Sequence, residues 1–241
     1  MPVYHPKPLV PILNRRLARE LGVVFALPLT ERGGNPRDVV SNRAMTVTGG
    51  AWSNGSYGPQ RTQTDAAHGL TLSGSFTLTS ASTVGAWVTL STITTMGAIG
   101  TFDGGNFWMG VLSGNLIFSI SSAVANGPPA VAGTSYFLCG VTYPGRHDLY
   151  VNGVLRGTYP GTSAQQNCTT LGVGRIGTSG FGWLGDVQGA MFCNRALTQN
   201  QISRLYSDPW ALYRPEPRRV FYSTSAFMRA YLLSRQSAGA I

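Results

Sequence analysis

From about residue 44 to residue 193 the apolar residues fall into short runs, each closed by a cluster of Gly, Ser or Asn. Short strand-like runs broken by tight turns at close spacing are the pattern of a β-sandwich or jelly roll. Two turns fix local pairing. Asn152-Gly153 sits between Asp148–Val151 and Val154–Arg156, and both residues accept the positive φ that a two-residue hairpin needs. Ser113-Gly114-Asn115 does the same between Phe107–Leu112 and Leu116–Ile120. Val84–Leu90 and Tyr136–Thr142 are apolar on nearly every residue, which marks them as central strands. Composition agrees: a coiled coil or helix bundle would be rich in Ala, Glu, Lys and Leu, whereas this chain has 31 Gly and only 11% charged residues. With 43% apolar residues over 241 positions there is enough material for a full core. The expected fold is all-β, an antiparallel two-sheet jelly-roll sandwich over residues 23–207.

The ends read differently. Four prolines by position 11 prevent regular structure at the start, and Leu13–Leu21 has room for one or two helical turns before the first strand, Val23–Leu27. Thr198-Gln199-Asn200-Gln201 is a capping box, and Leu197 with Ile202 supplies its hydrophobic staple, so one short helix is expected near 199–206. Asp208-Pro209 stops it. Residues 1–22 and 208–241 are read as extended arms, the second with a final helix over 224–239 carrying Phe227, Tyr231 and Leu232 on one side.

The net charge of +9 is unevenly placed. Residues 1–43 and 214–241 each carry a net +4, while the body between them carries +1. A nearly neutral body argues against a nucleic-acid groove, which needs clustered Lys and Arg. All basic residues except Lys7 are Arg, the residue suited to fixed, bidentate interface contacts. Three readings of the arms stand: solvated tails, arms that dock on partner proteins, or arms that touch nucleic acid or anionic lipid.

Cys139, Cys168 and Cys193 show no CxxC or Cys/His spacing and do not suggest zinc. They read as buried thiols, with a Cys139–Cys193 bridge between neighbouring strands left open. The start, Met1 to Pro8, lacks the apolar stretch of a signal peptide, and no run of 18 apolar residues occurs. The expectation is synthesis in a cytoplasm and no membrane association.

The body resembles the laminin G-like, concanavalin A-like lectin/glucanase jelly rolls. The resemblance is carried by Gly22–Leu27, Val84–Val88, Leu149–Gly153, Gly172–Gly177, Trp183–Val187 and Asn194–Thr198 leading into Ile202–Tyr206, in that order and spacing. The flanks, Leu13–Gly22 and Leu205–Pro215, are similar to laminin G-like proteins among tailed-bacteriophage structural proteins. That similarity implies a virion component, assembled in the host cytoplasm.

Glucanases on such a fold need two carboxylates close together on one strand. Here Glu20 and Glu216 lie outside the expected sandwich, Glu31 lies in a loop, and the six aspartates are far apart in sequence, so no enzyme is expected. No Gly-x-Ser-x-Gly elbow accompanies His68 or His147, which read as solvated surface residues. Gly172–Gly177 superficially resembles a phosphate loop, but strand-like sequence follows where a helix would be needed. No cofactor is expected. Several relatives of this fold bind calcium, and Asp103 and Asp186 are the best candidates, although calcium wants more carboxylates than this chain offers.

The leading expectation is a non-enzymatic virion structural protein, a capsid decoration or tail/fibre component. It would dock on capsid or tail subunits, or on copies of itself, through Arg15, Arg16, Arg19, Arg214, Arg218 and Arg219, with Trp210, Tyr213, Phe221 and Tyr222 as apolar anchors. The alternative is a glycan-binding adhesin or receptor-binding module of the virion. Asp103, Asn106, Phe107 and Trp108 would then supply a stacking face and hydroxyl partners, with Trp52, Asn54 and Tyr57 as a second set. The same aromatics would equally serve at the edge of a core.

Overall fold

The structure, a computed structural model, describes residues 11–30, 34–55, 58–65, 67–101, 107–161, 165–177 and 181–215. Two sheets face each other. The front sheet runs, edge to edge, Val154–Pro160 (β13), Arg146–Val151 (β12), Ser135–Tyr143 (β11), Thr83–Leu90 (β6), Gly185–Cys193 (β17), Gly58–Gln63 (β4) and Ala51–Gly55 (β3). Val23–Leu27 (β1) also pairs with β17, alongside Ala190–Cys193. The back sheet runs Ala123–Pro129 (β10), Asn115–Ile120 (β9), Phe107–Leu112 (β8), Met96–Thr101 (β7), Gln166–Val173 (β14), Gly69–Leu78 (β5) and Thr46–Thr48 (β2). Arg175–Ile176 (β15) and Phe181–Gly182 (β16) form a small excursion beside β7, and β16 with β7 is the one parallel pairing among the described strands.

Both sequence-marked hairpins form. Asn152 and Gly153 have φ of 52° and 78°, Ser113 and Gly114 have 49° and 81°, and each pair closes a two-residue loop between directly paired strands. Asn152 also accepts the Phe137 N–H through Oδ1 at 2.8 Å, which ties the turn to the neighbouring strand. Residues 172–177 form the end of β14, a turn and β15, and the next element among the described residues is the strand β16.

Alternation along each strand sorts side chains between two cores. Val84, Ala86, Val88 and Leu90 of β6 face the back sheet and pack with Phe25, Phe107, Phe118, Leu138 and Phe192 in the main core. The other face of the front sheet carries Trp87, Phe137, Cys139, Val141, Tyr150, Met191 and Cys193, also buried, in a second core. This explains why β6 and β11 read as apolar on nearly every residue.

The terminal segments cover that second face. Arg15–Leu21 forms a helix (α1) with Asn14 accepting the Leu17 N–H at 3.0 Å and Gly22 ending it at φ 63°. Gln199–Ser207 forms a second (α2), whose capping box between Thr198 and Gln201 is present as expected. After it, Trp210, Leu212 and Tyr213 are 0–1% exposed. Ile12 and Asn14 donate to the carbonyls of Tyr213 and Leu212 at 3.2 and 2.8 Å, so the two ends meet on the sheet.

Several expectations are thereby corrected. The boundaries at 22/23 and 207/208 do not separate arms from a body, because Leu17, Ala18, Leu21, Trp210, Leu212 and Tyr213 bury their side chains against the front sheet. Trp210 and Tyr213 cannot anchor a partner, since they are spent on this chain's own core. Arg214 pairs with Asp208 within the chain. Cys139 and Cys193 lie on β11 and β17 with β6 between them, and both are free thiols, so the bridge does not form. His147 is fully buried, stacked on Tyr159 at 5.1 Å and edge-on to Phe118 at 5.4 Å, where a surface residue was expected; β12 carries it inward with Leu149. His68 is half-buried against Gly49. Arg218, Arg219, Phe221, Tyr222 and the helix expected over 224–239 lie outside the described residues.

Candidate functional site

Of the residues singled out for sugar binding, Asp103, Asn106 and Tyr57 lie outside the described residues. Phe107 is 0% exposed and faces Phe192 at 6.1 Å in the main core, so it offers no stacking face. The physical reason is the two-residue period of β8, which turns Phe107, Met109 and Val111 inward together. Trp108 takes the other face and is half-buried on the outside of the back sheet, between Ser119 and Gly100 in register. Trp52 packs partly buried against the main core under the Arg61 guanidinium, 5.4 Å from its ring centroid, while Asn54 is exposed. Arg61 is itself buried, and its Nη2 donates to the Gly49 and Gly50 carbonyls. Desolvation lowers the pKa of this guanidinium. Arg15, Arg16 and Arg19 are exposed on α1.

A connected set of hydrogen-bonding side chains lies elsewhere, on the outer face of the front sheet beside the second core. In register across four strands stand Thr62 (β4), Asp186 (β17), Thr89 (β6) and Ser135 (β11). Ser53, Gln60 and Gln188 join them. Val187, Val88 and Tyr136 point into the main core, so their neighbours Asp186, Thr89 and Ser135 point out. One string of bonds runs from Ser53 Oγ to Thr62 Oγ1 at 2.6 Å, and Thr62 Oγ1 donates to Asp186 Oδ1 at 2.6 Å. The other runs from Gln60 Oε1, which accepts from Gln188 Nε2 at 3.4 Å, to Thr89 Oγ1, which accepts from the same amide at 3.0 Å. The Thr89 and Ser135 hydroxyls are then hydrogen-bonded to each other at 2.8 Å.

Gln60 and Gln188 are 5% and 4% exposed, Asp186, Thr62 and Thr89 are half-buried, and Ser135 is exposed. The row is thus held rigid at its base and open along its edge. Next along β6, Trp87 stacks on Phe137 with centroids 4.6 Å apart, and its indole N–H finds no acceptor among the described residues. Hydroxyls and one carboxylate at β-sheet spacing, backed by two buried amides, present donors and acceptors that complement a polyhydroxylated surface. Asp186 was considered for calcium; among the described residues no three His, Cys, Asp or Glu side chains converge on a metal position. No helix of the described residues is long and apolar enough to cross a membrane.

Sequence reasoning missed this row. Its signal was present in the run Gln60-Arg61-Thr62-Gln63 of β4, which has no apolar side chain, and in Asp186 and Gln188 interrupting an otherwise apolar strand.

Several solved structures share the architecture. Domain 4 of AbnA, an extracellular arabinanase from Geobacillus stearothermophilus solved with arabinotriose, is 21% identical with a TM-score of 0.55, over 70% of this chain and 91% of that one. The binding domain of Paraclostridial Mosquitocidal Protein 1 is 13% identical with a TM-score of 0.62, over 77% of this chain. Trypanosoma rangeli sialidase, solved with an inhibitor, is 13% identical with a TM-score of 0.60, over 80% of this chain. The chain spans about half of that toxin domain (52%) and a third of the sialidase (34%). At these identities the likeness is one of fold. No curated protein matches in sequence. The decisive match is a family model covering residues 62–203, from the middle of β4 into α2 and more than half of the sequence, which includes Thr62, Thr89, Ser135, Asp186 and Gln188: the chain belongs to the laminin G branch of the concanavalin A-like lectin/glucanases superfamily.

Proposed function

We propose that the protein is a glycan-binding module that holds a surface polysaccharide or glycoconjugate on the polar row of the front sheet without cleaving it. The observation that carries this is the row itself: Ser53, Thr62, Thr89, Ser135 and Asp186, half-buried or exposed on one sheet face, are pre-oriented by their mutual bonds and by those of the buried Gln60 and Gln188. Pre-orientation lowers the entropy lost on binding. Three of the other carboxylates serve the fold. Asp38 accepts the N–H groups of Ala26, Val40 and Ser41. Asp148 is buried against Arg146 and Thr158, and Asp208 pairs with Arg214. Among the described residues Asp186 is the single carboxylate in the row, suited to accept sugar hydroxyls, whereas glycoside cleavage uses a pair.

Two fold neighbours, an arabinanase domain solved with arabinotriose and a sialidase solved with an inhibitor, support the same ligand class. The phage-like similarity of the flanks suits such a module to host attachment by a virion. Those flanks are also the lid of the second core, so their apolar pattern has a cause inside this chain.

A glycan array read with the intact chain tests the proposal. Binding to a defined glycan set, lost in Asp186→Ala and Thr62→Val and retained in Trp108→Ala, is the expected result. No binding, or loss in Trp108→Ala alone, would refute it.

A further inference from the structure

A second surface of this chain has the shape and charge of a docking site, independent of the polar row. An open groove of about 580 Å³ lies between α1 and β1. Its floor is aliphatic, made by Leu13, Ala18, Val23, Val24 and Val40. Arg15 and Arg19 stand along it, four residues apart and therefore on one side of α1. Val24 is the one exposed residue of β1, at 37%, because a bulge between Val23 and Phe25 turns it outward.

Glycine is required at position 22, at one end of the groove. Gly22 ends α1 at φ 63°, and a Cβ there would come within 2.5 Å of Asn194 Oδ1, so a side chain would push Asn194 and Arg195 away from this end of the groove. Neither Arg15 nor Arg19 has an ion pair among the described residues. Arg195, which donates to the Glu20 carbonyl at 2.6 Å, adds a third cation nearby, and Glu20 is the single acid on the helix.

Four features narrow the occupant. The lining contains no aromatic ring, which a sugar face would use for stacking. The chain's own terminal stretches lack the acidic charge that would match the site: residues 216–241 carry Glu216 against four Arg, and residues 1–10 carry Lys7 with no acid. Nucleic acid would match the charge but would leave the aliphatic floor wet. An acidic peptide satisfies both parts, placing aliphatic side chains on Val23, Val24 and Val40 and carboxylates on the guanidinium pair.

We propose that this groove docks a partner protein through an exposed acidic peptide segment with aliphatic anchors. The probe is a fluorescein-labelled peptide of alternating Asp and Leu, with an alternating Lys and Leu peptide as its counterpart, read by fluorescence anisotropy against the full chain. The Asp peptide should bind saturably, and binding should weaken as salt rises from roughly 50 to 300 mM. Affinity should fall roughly tenfold or more in Arg15→Glu/Arg19→Glu. Val24→Asp should fall likewise, and melting temperature should hold in the double variant because both arginines are exposed. If Val24→Asp fails to fold, the double variant decides alone. Equal binding of the Lys peptide, unchanged affinity in the double variant, or no saturable binding would each overturn the proposal. So would salt-sensitive dimerisation that the same variants abolish, since the occupant would then be a second copy. Glycan binding should persist in the double variant, which keeps this test separate from that of the polar row.

Discussion

Replacing Trp210 by Ala tests whether the terminal segments belong to the folded domain. Trp210 is 1% exposed, touches Tyr213 with ring centroids 5.9 Å apart, and covers the front sheet near Gly189 and Trp87. A buried Trp removes roughly 200 Å² from water, worth about 5 kcal/mol at about 25 cal/mol per Å². Trp→Ala in a core costs about 3–5 kcal/mol. That is a large part of the roughly 5–15 kcal/mol that keeps a domain folded. The melting temperature should fall by roughly 6–20 °C for a chain of this size. Urea unfolding followed by far-ultraviolet circular dichroism gives the free energy directly. Arg214→Ala is the internal control: its ion pair with Asp208 is 38% and 25% exposed, and its loss should cost no more than about 1 kcal/mol. The reasoning is refuted if Trp210→Ala unfolds within about 1 kcal/mol of wild type, for then residues 208–213 would be the loose arm that the sequence suggested.

Two further outcomes follow from buried titratable groups. Burial lowers the pKa of His147, so below about pH 6.5 the unfolded chain takes up a proton that the native chain refuses, and stability falls as pH drops toward the native pKa. His147→Phe, which keeps the stacking on Tyr159, should flatten that acid slope in urea titrations at several pH values; an unchanged slope would show that His147 is not the group responsible. Burial also raises the Cys139 thiol well above its ordinary value and pushes Cys193 up to about 12, and all three cysteines are buried. Ellman's reagent should therefore find three thiols in urea and react with the native protein only as fast as it unfolds, whereas rapid native labelling would contradict the burial.

What the sequence made legible was local. Asn152-Gly153 and the Thr198/Gln201 capping box encode their own geometry within four residues, and both formed where expected. The apolar character of Val84–Leu90 and Tyr136–Thr142 correctly marked central strands, but it held a second message. A strand apolar on both faces needs a cover on each, and the cover of the outer face is Leu17, Leu21, Trp210, Leu212 and Tyr213. Prolines and arginines around those residues suggested arms, because composition reports how a segment looks alone and not which sheet lies beneath it. Phe107 and Trp108 show the same limit at one-residue scale: the strand period sends one ring inward and the next outward, and the phase is set by pairing partners far away in sequence. The polar row was invisible for a related reason. Thr62, Thr89, Ser135 and Asp186 are scattered over more than half the chain and become neighbours only through the order β4, β17, β6, β11.

The central claim is that this row meets a glycan. Amide chemical-shift mapping of the labelled protein, titrated with an oligosaccharide selected on the array, tests it most directly. The account predicts perturbations clustered at Thr62, Thr89, Ser135, Asp186 and Gln188. Perturbations clustered instead at Trp108 and Ser119, on the opposite face of the sandwich, would contradict it.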